Sequence, residues 1–316
     1  MSEFSRRDFM VGSAAGALAL GAGPLAAGAL FGAEAKPADM AIARWKGPKE
    51  MDAAALKKVA VQLTEKAIAA IGGLGRFVKK GDVVWVKPNI GWDRKPETAA
   101  NTNPDVVATI VRLCFDAGAK TVKVGDNPVR GQVVVRAYES SGIPAAVRGL
   151  GAEVVFLDRN RFRDTAINGE GIKSIPMYPD ILECDLVINV PVAKHHRLSD
   201  VTICMKNYLG VIENRPMTHQ VFVPGLADLT RFMKPRICVL DAMRVLPRNG
   251  PSGGNLADVK VTTTVAAGVD IVALDALGAE LLGRNPKDVK TIVSGQQAGL
   301  GKINYRSLAL REIAVT

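Results

Sequence analysis

From Val83 onward, short β-branched runs alternate with segments of helical spacing, and this alternation limits the fold more than any other feature of the chain. Val83-Val84-Trp85-Val86 reads as a buried strand, being short, apolar and bounded by Gly81-Asp82 and Pro88. A helix follows. Asn103 suits its N-cap, Pro104 its first position, and Val107, Ile110, Val111 and Cys114 its apolar face, with Gly118 as the stop. Downstream, strands are expected at 121–124, 154–157, 186–190, 237–240, 261–265 and 308–315, and helices at 133–140, 201–209 and 271–282, with a short helix before the last strand. Upstream, Leu56, Val59, Leu63, Ala67 and Ile71 mark a helix over 52–71, and residues 36–50 read as an irregular lead-in. The polar connection 159–178 is expected to form a hairpin or flap. Such a pattern predicts an α/β, three-layer fold: a mainly parallel central sheet, helices on both faces, and a ligand cleft at the strand carboxyl ends.

The first 35 residues set the compartment. Ser5-Arg6-Arg7-Asp8-Phe9-Met10 is a twin-arginine pattern, followed by an uncharged stretch from Met10 to Ala33 and a small-x-small site, Ala33-Glu34-Ala35, ahead of Lys36. Basic, apolar and small-residue regions in that order read as an export signal, and the paired arginines specify the twin-arginine route, which carries folded proteins to the periplasm. The 24 uncharged residues are long enough to span a bilayer as an anchor, but nine are Ala, six are Gly, and Pro24 interrupts them, which favours cleavage. The chain therefore divides into a signal (1–35), a lead-in with one helix (36–80) and a single α/β domain (81–316).

Removal of the signal leaves 281 residues and takes two basic and three acidic ones with it, so the net charge rises from +10 to +11. No block of five or six like charges exists and basic residues are not interleaved with aromatics, so the excess reads as a solvated basic surface with an anion-attracting cleft, not a nucleic-acid face. Membrane contact is expected only during export, through the twin-arginine translocation machinery. Cys114, Cys184, Cys204 and Cys238 stand far apart in apolar runs, without a CxxC pair; they read as buried thiols and their spacing argues against an iron–sulfur cluster. The Gly250–Asn255 loop lacks the Gly-Lys-Ser/Thr ending of a phosphate-binding loop, and GxGxxG, GxSxG and HExxH are absent.

The predicted strand ends are polar. They run into Lys87-Pro88-Asn89, Asp126-Asn127-Pro128, Asp158, Lys194-His195-His196 and Asp241, on the rim where open α/β sheets bind ligands. Asp126 or Asn127 equally suits a helix cap, and Asp158 a turn. Lys87 demands an anion or a path to water, since it ends an apolar strand. Residues 194–211 are the richest segment. Thr202 and Lys206, four apart, would share a helical face; burial would depress the Lys206 pKa and suit it as base, imine-forming amine or anion anchor, unless it snorkels to the surface. On an extended backbone only one of His195 and His196 would face the cleft. His196 and His219 make a candidate divalent-metal pair that lacks a defined third ligand.

In this order, VWVKPNIG (84–91), the stretch 101–128, DLVINVPVAKHHRLSDVTICMKNYLGV (185–211), His219, the stretch 239–251 and the stretch 268–283 resemble the domain of unknown function 362 family. Lys194, His196, Thr202, Lys206, Asn207 and Gly210 fall on the positions of its most specific block. Members of that family often carry a ferredoxin-like cysteine segment, from which this chain departs.

Taken together, the residues point to an exported enzyme of redox or isomerase type acting on a small anionic ligand. Lys206, Lys194 and His196 are its candidate catalytic residues, and Lys87, Asn89, Asp126, Thr202, Asn207 and Asp241 its candidate cofactor-binding residues. The alternative is a non-catalytic cofactor-binding or maturation factor for an exported partner.

Overall fold

The computed structural model describes residues 36–129, 131–213 and 222–316; the expected export signal and His219 lie outside them. Along the chain the strands are β1 (Met40–Trp45), β2 (Val83–Pro88), β3 (Thr121–Val124), β4 (Glu153–Val154), β5 (Arg163–Ala166), β6 (Ser174–Met177), β7 (Leu186–Val190), β8 (Val192–His196), β9 (Asp200–Thr202), β10 (Cys238–Leu246), β11 (Lys260–Gly268) and β12 (Leu310–Val315). The helices between them are α1 (Ala53–Ala70), α2 (Pro104–Asp116), α3 (Val134–Ser141), α4 (Ile143–Arg148), α5 (Pro179–Leu182), α6 (Cys204–Asn207), α7 (Phe222–Met233), α8 (Ile271–Leu281) and α9 (Lys290–Gln297).

The large sheet runs β12-β1-β11-β10-β7-β2-β3-β4, with β8 beside β10 and β9 beside β8. From β10 to β4 every neighbour is parallel, as are β1 with β12 and β8 with β10; β11 is antiparallel to both its neighbours, and β9 to β8. Alternation along each strand feeds two cores. Ala41, Ala43, Val84 and Val86 pack under α1 and α2, whereas Met40, Ile42 and Trp85 face the opposite layer with α8. This is the expected three-layer α/β arrangement. Helix α2 shows how local signals fix an element: Asn103 Oδ1 accepts the Asp105 and Val106 N–H groups at 2.8 and 3.4 Å, Pro104 opens the first turn, and Val107, Ile110 and Val111 are fully buried. Each of those side chains contributes about 1.5–3 kcal/mol of burial. The 159–178 connection forms a hairpin of β5 with β6.

Several elements depart from the sequence expectation, the unexpected helices α4 and α7 among them. The lead-in contains β1, an inner strand paired with β11 and β12, and residues from Lys36 onward form one compact unit with the rest. Its Met-Ala-Ile-Ala run offers little β-branched signal, so its position depends on distant partners. Strand β4 is only two residues long; it lies at the sheet edge, where Phe156 is 40% exposed. The helix expected at 201–209 is broken: Val201 and Thr202 pair with His195 and Lys194 in a hairpin, and α6 starts only after Ile203. Finally, β10 does not end at Leu240 but continues to Leu246 between β11 and β8.

The four cysteines are free thiols, all buried except the partly covered Cys184. No helix among the described residues is long and apolar enough to cross a membrane.

Candidate functional site

The site begins with a buried ion pair. Lys87, at the end of β2, places Nζ 2.7 Å from Asp126 Oδ1, just past β3, and donates also to the Pro88 carbonyl at 3.1 Å. The other Asp126 oxygen accepts the Ile90 N–H at 2.7 Å. Tyr138, on α3, fixes the same residue from behind: its hydroxyl accepts the Asp126 N–H at 2.8 Å and contacts the Asp126 carbonyl at 2.7 Å. Burial pushes the Tyr138 phenol well above its ordinary pKa, which keeps it a neutral donor. Gly210 closes over this pair. A Cβ there would stand 1.7 Å from Asp126 Oδ1 and 2.7 Å from Lys87 Nζ, so no side chain fits.

Beside the ion pair runs a line of oriented amides. Lys194 Nζ, on β8, donates to Asn89 Oδ1 at 2.7 Å and to the Ala100 carbonyl. That bond fixes which end of the Asn89 amide is which. Asn89 Nδ2 donates to Asn207 Oδ1 at 2.9 Å, Asn207 Nδ2 to Asn189 Oδ1 at 2.8 Å, and Asn189 Nδ2 to the Cys204 carbonyl at 2.8 Å. Donor meets acceptor at every step, so a low-dielectric interior holds the amides in one orientation. Helix α6, which carries Lys206 and Asn207, is tied at its other end by Asp275 of α8, which accepts the Cys204 and Met205 N–H groups, the latter at 3.2 Å. Burial raises the Asp275 pKa to about 7 against the pull of those two hydrogen bonds.

A cavity of about 300 Å³ opens on these residues. Asn89, Asp126, Lys194, His196, Thr202, Lys206 and Asn207 line it, with Gly91 and Gly210, and Trp92, Val129, Leu198, Leu209 and Pro251 complete its walls. Lys206 Nζ lies 3.3 Å from Thr202 Oγ1 and 5.6 Å from the centre of the Phe222 ring. The two residues meet as expected, although across a strand-to-helix turn instead of along one helix. On extended β8, His196 faces the cavity while His195 does not line it; the His195 Nδ1 is buried without a hydrogen-bond partner among the described residues. The loop at Pro251 reaches the cavity because Gly250 passes the His195 carbonyl so closely that a Cβ would stand 2.2 Å from its oxygen.

Two expected site residues stand elsewhere. Lys87 sits behind Asp126, fully buried, and does not line the cavity. Asp241 lies inside β10: its oxygens accept the Asn103 N–H at 2.7 Å and the Met243 N–H at 3.0 Å, so it joins the start of α2 to the sheet. Burial raises its pKa to about 6. It looked like a rim residue only because β10 was expected to stop one residue before it. His219, half of the candidate metal pair, lies outside the described residues, among which no group of three His, Cys, Asp or Glu is placed to hold a metal.

The structure also recruits residues that sequence reading passed over. Asn189 is a lone amide in the apolar run of β7, a signal that was available. Thr102 accepts the Asn89 N–H at 2.8 Å and donates to the Val190 carbonyl at 2.7 Å, and Asn101 Oδ1 accepts the N–H groups of Gly91 and Trp92 at 2.9 and 3.1 Å. Neither residue stands out within 101–103.

Chemically, two lysines and fixed amide groups suit the binding of an anion, and His196 adds a group able to exchange a proton.

Two comparisons with known proteins bear on the site. The family model described as Domain of unknown function (DUF362) matches residues 84–280, a span that contains every residue lining the cavity. The Thylakoid-associated protein sll1697 of Synechocystis sp. is 27% identical over 239 residues, covering 73% of this chain and 72% of that protein.

Proposed function

Because the chain belongs to the Domain of unknown function (DUF362) family, we propose its function from the cleft itself: an enzyme of redox or isomerase type that binds a small anionic ligand. Lys194 and Lys206 hold the negative charge, Thr202 orients it, Asn89 and Asn207 keep Lys194 and the inner wall in place, and His196 exchanges a proton at the cavity wall. The observation that carries this reading is the convergence of Lys194, His196 and Lys206 on one cavity. At about 300 Å³ it is at the small end of ligand sites, which limits the ligand to a compact molecule. Lys87 and Asp126 act as a fixed floor in this scheme, a buried ion pair beneath the lining residues.

We propose further that the protein works in the periplasm after export of the folded chain, on the strength of Arg6, Arg7 and the apolar stretch that follows. The relative is named for its association with thylakoids; for this chain the export segment carries the localisation by itself.

The test is native mass spectrometry of the protein purified from its own periplasm, followed by calorimetric titration of the molecule released. Lys206→Met keeps the apolar stem and removes the charge. It is expected to abolish binding with the melting temperature preserved. Equal affinity in the variant would refute the anion assignment. Binding without turnover would instead favour the alternative, a non-catalytic cofactor-binding or maturation factor for an exported partner.

A further inference from the structure

The polarity of the cavity changes with depth. Its innermost lining residues are polar: Asp126, Lys194 and Asn207 are each 1% exposed. Toward solvent Trp92, Val129 and Pro251 are half-buried, alongside Asn89 and His196, and the most exposed lining residue is apolar: Leu198, at the turn between β8 and β9, is 73% exposed. A simple inorganic anion would satisfy the inner end and leave this mouth in contact with water. Leu198, Trp92 and Pro251, grouped on one cavity, gain nothing from such a ligand, whereas they gain hydrophobic contact from an apolar one.

We infer that the ligand is an amphipathic organic acid, with its carboxylate at the polar inner end and an aromatic or branched apolar body between Trp92, Leu198 and Pro251. This rests on the anion reading of the cleft and adds the ligand's class and direction. Trp92, Leu198 and Pro251 together supply the apolar contact area for such a body. The line of amides from Asn89 to Asn189 holds the inner wall in one arrangement, so the head group meets a rigid surface. The mouth is built on a hairpin turn and the Gly250-Pro251 loop, so discrimination among bodies is by contact area, a coarser filter.

The experiment titrates acetate, 3-methylbutanoate and phenylacetate into the intact mature protein by calorimetry, with displacement titrations for the weakest. Phenylacetate is expected to bind at least tenfold more tightly than acetate, with 3-methylbutanoate between them. Leu198→Ser changes an exposed side chain and is expected to reduce the phenylacetate-to-acetate ratio at least threefold, with an unchanged melting temperature confirming an intact fold. If acetate and phenylacetate bind equally, the amphipathic assignment is overturned and the anion reading stands. If neither binds, and inorganic phosphate also fails, the anion reading falls and takes this inference with it. An unchanged ratio in Leu198→Ser overturns the placement of the apolar body at the mouth.

Discussion

Gly210→Ala is the sharpest probe of the site because it changes one methyl group at a position with no backbone strain to confuse the result. The new Cβ would stand 1.7 Å from Asp126 Oδ1, 2.8 Å from its Cγ and 2.7 Å from Lys87 Nζ. Neither group has room to retreat. Asp126 is held by the Ile90 N–H on one oxygen and by Tyr138 through its own backbone, and Lys87 is fully buried. The methyl must therefore part the ion pair or push α6 and the Tyr208–Val211 turn away from the sheet. Separating a buried pair costs about 3–5 kcal/mol, and overpacking alone about 1–3. A loss of about 3 kcal/mol is expected in urea unfolding followed by circular dichroism, with an unchanged m-value. The control is the same substitution in a Lys87→Met, Asp126→Ala background, where the obstructing carboxylate is gone; there the cost should fall below about 1 kcal/mol, since contacting residues couple and independent ones add. A loss under about 0.5 kcal/mol in the natural background, or an equal loss in both, would refute the role assigned to the ion pair, given the usual spread of mild surface effects.

Asp275 makes stability depend on pH. Its folded pKa, raised by burial from 3.8 to about 7, lies above its unfolded value, so ionisation is penalised in the fold. The penalty is absent below pH 4, grows as pH rises, and is complete above pH 7, where it is worth up to about 4 kcal/mol. Asp275→Asn should flatten this decline between pH 4 and 8, read as urea midpoints at each pH; parallel profiles would contradict it. Asp241, raised to about 6, contributes a smaller decline of the same sign that survives in the variant. Changing Arg6 and Arg7 together to Lys should leave the full-length chain in the cytoplasm, and a periplasmic product starting near Lys36 would overturn the export assignment by immunoblot of cell fractions and N-terminal sequencing.

The local chemistry of the chain already determined a good part of this architecture. Asn103-Pro104 and the apolar spacing after it specify α2 whatever the rest of the chain does, because capping and helical periodicity act over a single turn or two. The same holds for Val83–Val86 as a strand buried on both faces. Lys194 and His196 are legible as polar residues at a strand end and Lys206 as a charge in the apolar segment that follows, and the cavity gathers all three.

What only the tertiary structure decided are the features set by partners far away in sequence. Strand β1 exists because β11 and β12, more than 200 residues later, supply both its ladders. Strand β10 runs through Asp241 because β11 and β8 pair with it there, which turns a presumed rim carboxylate into a brace for α2. Asn189 sits in an apolar strand, and its place in the site is set by Asn207 and Cys204, which fold against it. Side-chain alternation and capping are local and can be read from neighbours in the chain. Register and hydrogen-bond pairing between distant segments are settled only when the packed layers bring those segments together.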